Sequence, residues 1–360
     1  MTQGALKMNT ARKICVVGAF DFQTLDTGGQ PVKTRELYYG LESKYGQDSV
    51  CFVETYQWKR KPLRMLMQLL RFVPKSDVLI MLPAHNGVKI FSRLLLMLKK
   101  KSAKLFYDVV GGWLPTMAQE RPELLSDLRK MDGIWVETTS MKRMLNDLGI
   151  AQVAVVPNFK SLPVLTPEQL VYPDKRPHGL CTFSRVMEEK GITDAVQTVA
   201  QVNSRLGQTA YTLDIYGPVA PQYTETFEQL QQQYGEIVTY KGVADPSESV
   251  QILKDYYALL FPTKFYTEGI PGTIIDAYCA GVPVITTHWL NYADVFDDGI
   301  TGLGYSFGKT EELEQILLDL AESPEKLTNM KTACLQKAKQ YMPQTVMEQI
   351  AGLLRGGTEK

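Results

Sequence analysis

The chain has 360 residues, of which 44% are hydrophobic and 22% are charged, and its formal net charge is zero. This composition is that of an ordinary soluble globular protein, and the length predicts two domains of roughly 150 to 200 residues instead of one core. The five cysteines include no C-x-x-C pair. They therefore argue against a zinc site and a disulfide framework, and favour a reducing, cytosolic compartment.

The zero net charge hides an asymmetry between the two halves of the chain. Residues 1–160 hold 24 of the 39 Lys+Arg and 14 of the 39 Asp+Glu, which gives a net charge of +10. The remainder holds 15 Lys+Arg and 25 Asp+Glu, which gives a net charge of −10. A basic half predicts an anionic partner, either nucleic acid or a membrane surface. No apolar run reaches the roughly 18 residues of a spanning helix, and the N-terminal apolar stretch predicts a strand, not a signal peptide.

The first half alternates apolar runs with amphipathic segments. The apolar runs are near-continuous, as in strands covered on both faces; they lie at 13–20, 49–55, 77–83, 104–110, 133–138 and 153–158. The amphipathic segments between them predict helices at 31–45, 62–73, 87–101, 122–131 and 139–148. This alternation is typical of a parallel, doubly wound sheet.

A proline-rich segment without periodicity then predicts a linker over 161–177. The alternation restarts after it, with strands predicted at 180–185, 211–217, 237–242, 257–263, 282–287 and 301–305, and helices from about 309 to the end. We therefore predict two doubly wound α/β domains, 1–160 and 178–340, and a final helix at 341–360 that packs back on the first domain. Ligands of such sheets bind at the carboxyl ends of the strands.

Three stretches at such ends carry candidate chemistry. Arg185 ends a strand and Lys190 begins the next helix, a spacing of two cations that suits a phosphate ester; the alternative is an ordinary surface arginine and lysine. Gly28 and Gly29 precede a helix with Pro31 in its first turn, where bare amides favour close approach of a phosphate or sugar, although an ordinary turn has the same sequence. This loop is neither G-x-G-x-x-G nor a P-loop.

The third stretch, "FYTEGIPGTIIDAYCAGVPVI" at 265–285, contains two carboxylates, Glu268 and Asp276. The glycines and proline between them turn the chain into a helix predicted to begin near Thr273. Two acids facing a pocket suit recognition of sugar and ribose hydroxyls. The alternative is that Glu268 is an acid favoured at a helix start and that Asp276 is a solvated helix residue.

Together, R-x4-K, E-x7-D and "AYCAGVPVI" resemble the retaining glycosyltransferases of family 4. The resemblance covers nearly the whole chain, and it is greatest for bacterial enzymes of surface-polysaccharide synthesis, through "GQPVKTREL" and "TEGIPGTIIDAYCAG". It implies the GT-B fold, in which two Rossmann-like domains face a central crevice, the first for the acceptor and the second for the nucleotide-sugar. The chain departs from the family pattern at Asp276, where the family has Glu.

The resemblance also implies residue roles. Arg185 and Lys190 would hold the donor diphosphate and stabilise the leaving nucleotide, Glu268 would face the donor sugar, Asp276 the ribose, and segments 216–218 and 240–242 the base. The implied catalytic residues are Arg185, Lys190 and Glu268; the implied donor-binding residues are Gly28, Gly29, Gly217, Lys241, Gly242, Gly269, Ile270, Pro271, Gly272, Thr273 and Asp276.

Acceptor residues are predicted in the first domain. Asp108 and Trp113 lie in "YDVVGGWLP", where the family often has a histidine, and His85 ends another strand. Asp108 would orient the acceptor hydroxyl, or else it is a buried strand residue; a loop histidine such as His85 is otherwise merely solvated. With three histidines and no D-x-D motif the sequence offers no metal ligands, so we predict that no metal or other cofactor is required.

The predicted helix 62–73 and its flanks, "KRKPLRMLMQLLRFVPKSD" at 59–77, are basic and amphipathic. Such a helix suits an anionic membrane surface, and the alternative is a core helix with a solvated basic face. Nucleic acid is disfavoured because no recognition motif is present. We therefore expect a cytoplasmic protein, peripheral at the inner face of the cell membrane.

The predicted function is metal-independent, retaining transfer of a hexose from a UDP-linked donor to a saccharide acceptor, presented on a lipid, in surface-polysaccharide synthesis. Two alternatives use the same scaffold. One is a nucleotide-sugar epimerase, and the other is a non-catalytic protein that binds nucleotide-sugars, which the unusual Asp276 would allow.

Overall fold

A computed structural model describes residues 13–24, 28–173 and 175–356. The chain divides into two compact units, the first comprising residues up to 158 together with 346 onward, and the second comprising 159–345. The described helices include none that is long and apolar enough to cross a membrane.

The first unit is a six-stranded parallel sheet flanked by helices. The strands are β1 (Ile14–Gly18), β2 (Val50–Glu54), β3 (Val78–Met81), β4 (Lys104–Asp108), β5 (Gly133–Val136) and β6 (Val153–Val155), in the order β2-β1-β3-β4-β5-β6. The helices are α1 (Gly29–Tyr45), α2 (Pro62–Phe72), α3 (Val88–Leu98), α4 (Leu114–Glu120), α5 (Pro122–Leu128) and α6 (Thr139–Asp147). Ile14 pairs with both Val50 and Val78, and every residue of β1 is buried, as its continuous apolar sequence predicts.

The second unit repeats this architecture. Its strands are β7 (His178–Phe183), β8 (Tyr211–Tyr216), β9 (Val238–Gly242), β10 (Ala258–Phe261), β11 (Val284–His288) and β12 (Gly302–Ser306), in the order β12-β11-β10-β7-β8-β9. Its helices are α7 (Ile192–Leu206), α8 (Thr224–Tyr234), α9 (Ser249–Leu253), α10 (Gly272–Cys279), α11 (Thr310–Glu322), α12 (Glu325–Thr328) and α13 (Lys331–Ala338). The last helix of the chain, α14 (Pro343–Arg355), has residues in both units.

Alternate residues of the central strands of the second sheet feed two separate cores. Leu180 of β7 and Leu260 of β10 belong to the apolar cluster under α7, α8 and α11. Their sequence neighbours Cys181 and Leu259 point to the other face and belong to the cluster under α9, α10 and α13. Helices therefore cover both faces of the sheet. The two Rossmann-like domains confirm the predicted GT-B fold class.

The structure adds three local details to the sequence analysis. Helix α4, seven residues long with a proline at its second position, was not predicted. His178, which directly follows the predicted linker, is the buried first residue of β7 and stacks on Tyr257. The helix predicted at 62–73 is observed as α2, which ends at Phe72, and the basic residues Arg60 and Lys75 lie outside it.

Candidate functional site

The strand order of the second sheet reverses between β7 and β10. Such a topological switch point leaves an opening at the carboxyl ends of the two strands, where doubly wound sheets bind their ligands. The segment that follows β7 contains Arg185 and Lys190, and the segment that follows β10 contains Glu268. The fold thus brings two motifs that are far apart in sequence to one edge of one sheet.

Lys190 and Glu268 are in direct contact at this edge. The Lys190 ammonium forms an ion pair with Glu268 Oε1 and lies over the rings of Phe261 and Phe265, 5.4 and 5.0 Å from their centroids. The hydroxyl of Thr263 donates to the same Glu268 oxygen at 3.2 Å. Each of the paired side chains keeps less than a fifth of its surface exposed, so the pair is desolvated but still reachable from solvent.

A glycine allows the loop of Lys190 to approach β10 so closely. Gly191 has a φ of 69°, and a Cβ built on it would lie 1.9 Å from the carbonyl oxygen of Pro262. The loops are also joined by the amide of Lys264, which donates to the Glu189 carbonyl at 2.8 Å. Any larger residue at position 191 would separate the two loops and with them Lys190 and Glu268.

The backbone after Glu268 leads into the start of α10. The side-chain amide of Asn291, a buried residue that the sequence analysis did not select, donates to the Glu268 carbonyl oxygen at 2.6 Å. Helix α10 begins at Gly272 with Pro271 as its N-cap and without a side-chain cap. The amides of Gly272 and Thr273 lie in the first turn, where the helix itself provides no acceptor. An anion or a sugar oxygen suits this position.

Asp276 is buried and carries a counterion. Its Oδ1 lies 2.5 Å from the ammonium of Lys160, and both side chains are largely buried. Burial raises the pKa of Asp276, and this is opposed by the charge of Lys160 and by its hydrogen bond to the carboxylate. Asp276 is therefore not the solvated helix residue of the alternative interpretation, and its ribose contact stays a prediction.

Arg185 lies in the loop that follows β7 and is exposed, with no ion-pair partner among the described residues. This loop packs on the end of β8: the Ser184 amide donates to the Tyr216 carbonyl at 3.2 Å. The approach requires Gly217, which has a φ of 127° and whose Cβ would lie 1.9 Å from the Ser184 carbonyl oxygen. The position leaves the Arg185 guanidinium available to an anionic ligand.

The segments predicted to form the base wall are joined at the ends of β8 and β9. The Gly217 amide donates to the Gly242 carbonyl at 2.8 Å, and the Tyr240 hydroxyl donates to the Gly217 carbonyl at 2.9 Å. Lys241 pairs with Asp214 at 3.3 Å. The predicted donor residues of this region therefore form one hydrogen-bonded surface, and their contact with a base stays a prediction.

The strand order of the first sheet reverses between β1 and β3. The loop after β1 leads to Gly28, the N-cap of α1, and to Gly29, its first residue. A Cβ built on Gly29 would meet no atom of the described residues within 4 Å, so none of these residues covers Gly29 on that side. The side-chain amide of Gln30 donates to the Leu82 carbonyl at 2.8 Å and so ties α1 to the end of β3. Donor binding by Gly28 and Gly29 stays a prediction.

Two of the three predicted acceptor residues lie together. His85, in the loop after β3, stacks on Trp113 with ring centroids 4.0 Å apart, and the Trp113 indole N–H donates to the Val110 carbonyl at 2.7 Å. Partial burial, and then the charge of Arg121, lower the pKa of His85. A neutral imidazole stacked on an indole presents a ring edge on which a sugar could bind.

Asp108, the third predicted acceptor residue, is fully buried at the end of β4. It pairs with Lys33 at 2.9 Å, and the same ammonium contacts Glu137 at 3.0 Å and the Val109 carbonyl at 2.7 Å. Burial raises the pKa of Asp108 to about 6, against the opposing charge of Lys33. The sequence analysis gave Asp108 either as a residue that orients the acceptor or as a buried strand residue. The structure places it as a buried strand residue.

Among residues 13–24, 28–173 and 175–356, no group of three or more His, Cys, Asp or Glu side chains could hold a metal ion.

Residues 177–323 match the family described as "Glycosyl transferases group 1". The matched range covers most of the second unit and is similar to a group 1 glycosyltransferase domain. A Salmonella typhimurium protein named as a colanic acid biosynthesis glycosyltransferase, WcaL, is 23% identical over 185 residues, which cover 50% of this chain. The match covers only 45% of that relative's length.

Solved structures share the fold over nearly the whole chain. Anabaena Alr3699/HepE, solved in complex with UDP, has a TM-score of 0.75 at 14% identity and covers 96% of this chain and 100% of its own. The lipopolysaccharide outer core galactosyltransferase WaaB has a TM-score of 0.70 at 16% identity, with coverage of 95% and 99%. Sucrose-phosphate synthase from Thermosynechococcus elongatus has a TM-score of 0.75 at 15% identity, with coverage of 96% and 98%.

The range that matches this family contains Arg185, Lys190, Glu268 and Asp276. The sequence analysis did not select Lys160, which lies before the matched range; its signal was weak, a single lysine after "VVPNF". Asn291 gave no signal, because a lone asparagine in "THWLNYAD" has no characteristic spacing.

Proposed function

We propose that this protein transfers a sugar from a nucleotide-diphosphate donor, UDP-linked, to a saccharide acceptor, with retention of configuration and without a metal. The observation that carries the proposal is the Lys190–Glu268 contact at the switch point of the second sheet. It places a cation for a phosphate and an acid for a hydroxyl side by side. That solved neighbours were crystallised with UDP and UDP-glucose supports the choice of donor.

Donor binding exchanges the partners of this ion pair. The diphosphate, with two charges, competes with Glu268 for the ammonium of Lys190, and exposed Arg185 approaches it from the loop after β7. Glu268 is then free to accept hydrogen bonds from the hydroxyls of the donor sugar. The hydrogen bond from Thr263 to Glu268 Oε1 and the one from Asn291 to the Glu268 carbonyl keep the residue in place during the exchange.

The transfer step needs charge stabilisation more than a protein base. The bond between the anomeric carbon and the phosphate oxygen breaks, and negative charge grows on the leaving UDP, where Lys190 and Arg185 stabilise it. The acceptor oxygen forms the new bond on the same face of the sugar, and its proton passes to a phosphate oxygen of the donor. Glu268 recognises hydroxyls in this scheme and transfers no proton.

The two cations also take the place that a divalent metal would have on the diphosphate. We therefore propose that transfer persists in EDTA. Loss of turnover on chelation, restored by Mn²⁺ or Mg²⁺, would contradict this part of the proposal.

The acceptor is proposed to be lipid-linked, because α2 exposes an apolar stripe. Leu63, Leu66, Met67 and Leu70 follow helical spacing and are 41–75% exposed. Exposed cations surround them without an ion-pair partner among the described residues: Lys59, Arg60, Lys61, Arg64, Arg71 and Lys75. An apolar stripe within a basic rim fits an anionic membrane surface, which would hold the protein at the cytoplasmic side where lipid-linked sugars are presented.

A turnover assay with a panel of UDP-sugars tests the proposal. With an acceptor glycan present, the transferase releases UDP and forms a glycoside whose anomeric configuration, read by NMR, matches that of the donor. Conversion of the donor to its epimer without an acceptor would establish the epimerase instead. Binding of the donor without either reaction would establish a non-catalytic binding protein. Lys309→Ala serves as a surface control, since Lys309 is 59% exposed and lies outside the site.

A further inference from the structure

The first unit contains a cavity that none of the predicted site residues lines. It has a volume of about 260 Å³ and lies between the carboxyl ends of β1 and β2 and the first turns of α2. Aromatic side chains form part of its wall, and cations and amides form the rest; the main ones are Phe52, Tyr56, Gln57, Trp58, Lys61 and Arg64. The volume is just below the range of about 300–1,000 Å³ for small-molecule pockets, which leaves room for a single sugar with one substituent.

A partly buried hydrogen-bond network fixes the wall of this cavity. The Glu54 carboxylate accepts from the amides of Phe20 at 3.0 Å, Asp21 at 2.9 Å and Tyr56 at 2.6 Å. The side-chain oxygen of Gln68 accepts from the Glu54 amide at 3.1 Å. The Glu54 carboxylate thus accepts hydrogen bonds from the loop after β1 and from the loop after β2, and these bonds occupy both of its oxygens.

The backbone of the wall is strained at two places. Among the described residues that are not glycine, those with positive φ are Asp21, at 46°, and Gln57, at 51°, and both line this cavity. Strain of this kind persists where the surrounding structure fixes it, and it concentrates at functional sites. In this protein the Glu54 network fixes it on both sides.

The charge that remains at the cavity is positive. Lys61 and Arg64 line it, are exposed, and have no ion-pair partner among the residues that the structure describes. Asp21, the other acid in the wall, accepts from the amide and the hydroxyl of Thr24. Aromatic faces suit the C–H faces of a sugar, side-chain amides suit its hydroxyls, and unpaired cations suit an anion.

We propose that this cavity binds an anionic saccharide, one that carries a phosphate or a carboxylate, as part of the acceptor. The assignment of the ligand as acceptor rests on the proposed function, and the binding itself does not. The anionic group contacts Lys61 and Arg64, and the sugar ring packs against Tyr56 and Trp58. A sugar phosphate at the end of a lipid and an acidic sugar of a free glycan share this chemistry.

Binding is measured by tryptophan fluorescence, because Trp58 is partly exposed whereas Trp113, Trp135 and Trp289 are buried. The probes are glucose 1-phosphate, which stands for the sugar phosphate, and glucuronate, which stands for the acidic sugar. Glucose and inorganic phosphate are the comparison probes. All titrations contain saturating UDP so that the donor site is filled. The variants are Lys61→Ala with Arg64→Ala, the control Arg71→Ala from the same helix, and Lys190→Ala.

We expect at least one anionic sugar to change the fluorescence and to bind more tightly than both glucose and phosphate. Affinity should fall about tenfold or more in the Lys61/Arg64 variant and be unchanged in the Arg71 and Lys190 variants. Loss in the Lys190 variant alone, tighter binding of phosphate than of either anionic sugar, or no response to any probe would overturn the proposal. Calorimetry with UDP on wild type separates the two proposals: intact UDP binding by a wild-type protein that gives no saccharide response would refute the cavity and leave the proposed function standing. Intact UDP binding by the Lys61/Arg64 variant would show that its loss of saccharide binding is not a loss of fold.

Discussion

Lys160 and Asp276 form an ion pair 2.5 Å long, although 116 positions separate them in the chain. The lysine lies just after β6 and the aspartate one turn inside α10. The Lys160 Cδ would lie 3.6 Å from a Cβ built at Gly272, so the lysine side chain runs past the start of the helix. The pair therefore joins the segment after "VVPN" to the helix that begins beside the candidate site.

Loss of Lys160 should destabilise the protein. Lys160→Met leaves the Asp276 carboxylate buried without its counterion, and breaking a buried pair in this way costs about 3–5 kcal/mol. The free energy of unfolding, measured by urea denaturation at pH 7, should fall by that order. Adding Asp276→Asn should restore part of the loss, because the amide carries no charge. Equal stability of wild type and Lys160→Met would show that the pair contributes nothing.

Lys190 and Glu268 should have opposite effects on UDP affinity. Lys190→Ala removes a phosphate contact, so UDP should bind about tenfold or more weakly. Glu268→Ala removes the acid that competes with phosphate for Lys190, so UDP affinity should be unchanged or higher. Both variants should lose about 10²–10³-fold in kcat. Calorimetry with UDP and steady-state kinetics give the two quantities.

Circular dichroism melting of both variants, with Lys309→Ala beside them, shows whether the fold is intact. Weaker UDP binding in Glu268→Ala than in wild type would mean that the carboxylate does not compete with phosphate for Lys190.

Asp108 should make stability fall as pH rises. Its pKa is raised from 3.8 to about 6 in the folded state, so between these values the folded chain holds a proton that the unfolded chain has released. The contribution of this proton to the free energy of unfolding is fully present below pH 3.8 and is lost as the pH rises through 6. It amounts to about 3 kcal/mol over this window of about two pH units. The free energy of unfolding of wild type minus that of Asp108→Asn, measured from pH 3.5 to 7, should fall by about this amount as the pH rises. A difference that is constant with pH, or that rises with pH, would contradict the account.

The apolar stripe of α2 should carry binding to vesicles. Leu63→Gln with Met67→Gln replaces two exposed apolar side chains, each worth about 1.5–3 kcal/mol when fully buried in an apolar phase. The fraction that co-sediments with phosphatidylglycerol vesicles should therefore fall strongly. Arg71→Ala should weaken the free energy of vesicle binding by about 1 kcal/mol. Ile90→Gln, at an exposed position on α3, is the matched control. Equal pelleting of wild type with neutral and anionic vesicles would count against this surface.

The fold could be predicted from the sequence because the strands coincide with apolar runs, and central strands such as β1, β3 and β10 are buried on both faces. All twelve strands of the described chain overlap the predicted runs. Helix α4 was not predicted. The strand orders could not be predicted, since they depend on contacts between runs that lie far apart in sequence.

The candidate site could be predicted only in part. The spacings of Arg185 with Lys190 and of Glu268 with Asp276 identify the candidate residues. They do not predict that Lys190 contacts Glu268 or that Asp276 is buried. Those facts depend on Gly191 allowing two loops to approach and on Lys160 reaching α10. The cavity beside α2 also gave no signal, because its wall comes from three separate segments of the first unit.

The most direct test of the account is calorimetric titration with UDP, GDP and ADP, with and without EDTA, on wild type and Lys190→Ala. The account predicts that UDP binds to wild type more tightly than GDP or ADP, that EDTA leaves the affinity unchanged, and that Lys190→Ala weakens it. Failure of wild type to bind any of the three nucleotides would contradict the central claim that Lys190 and Glu268 form a donor site.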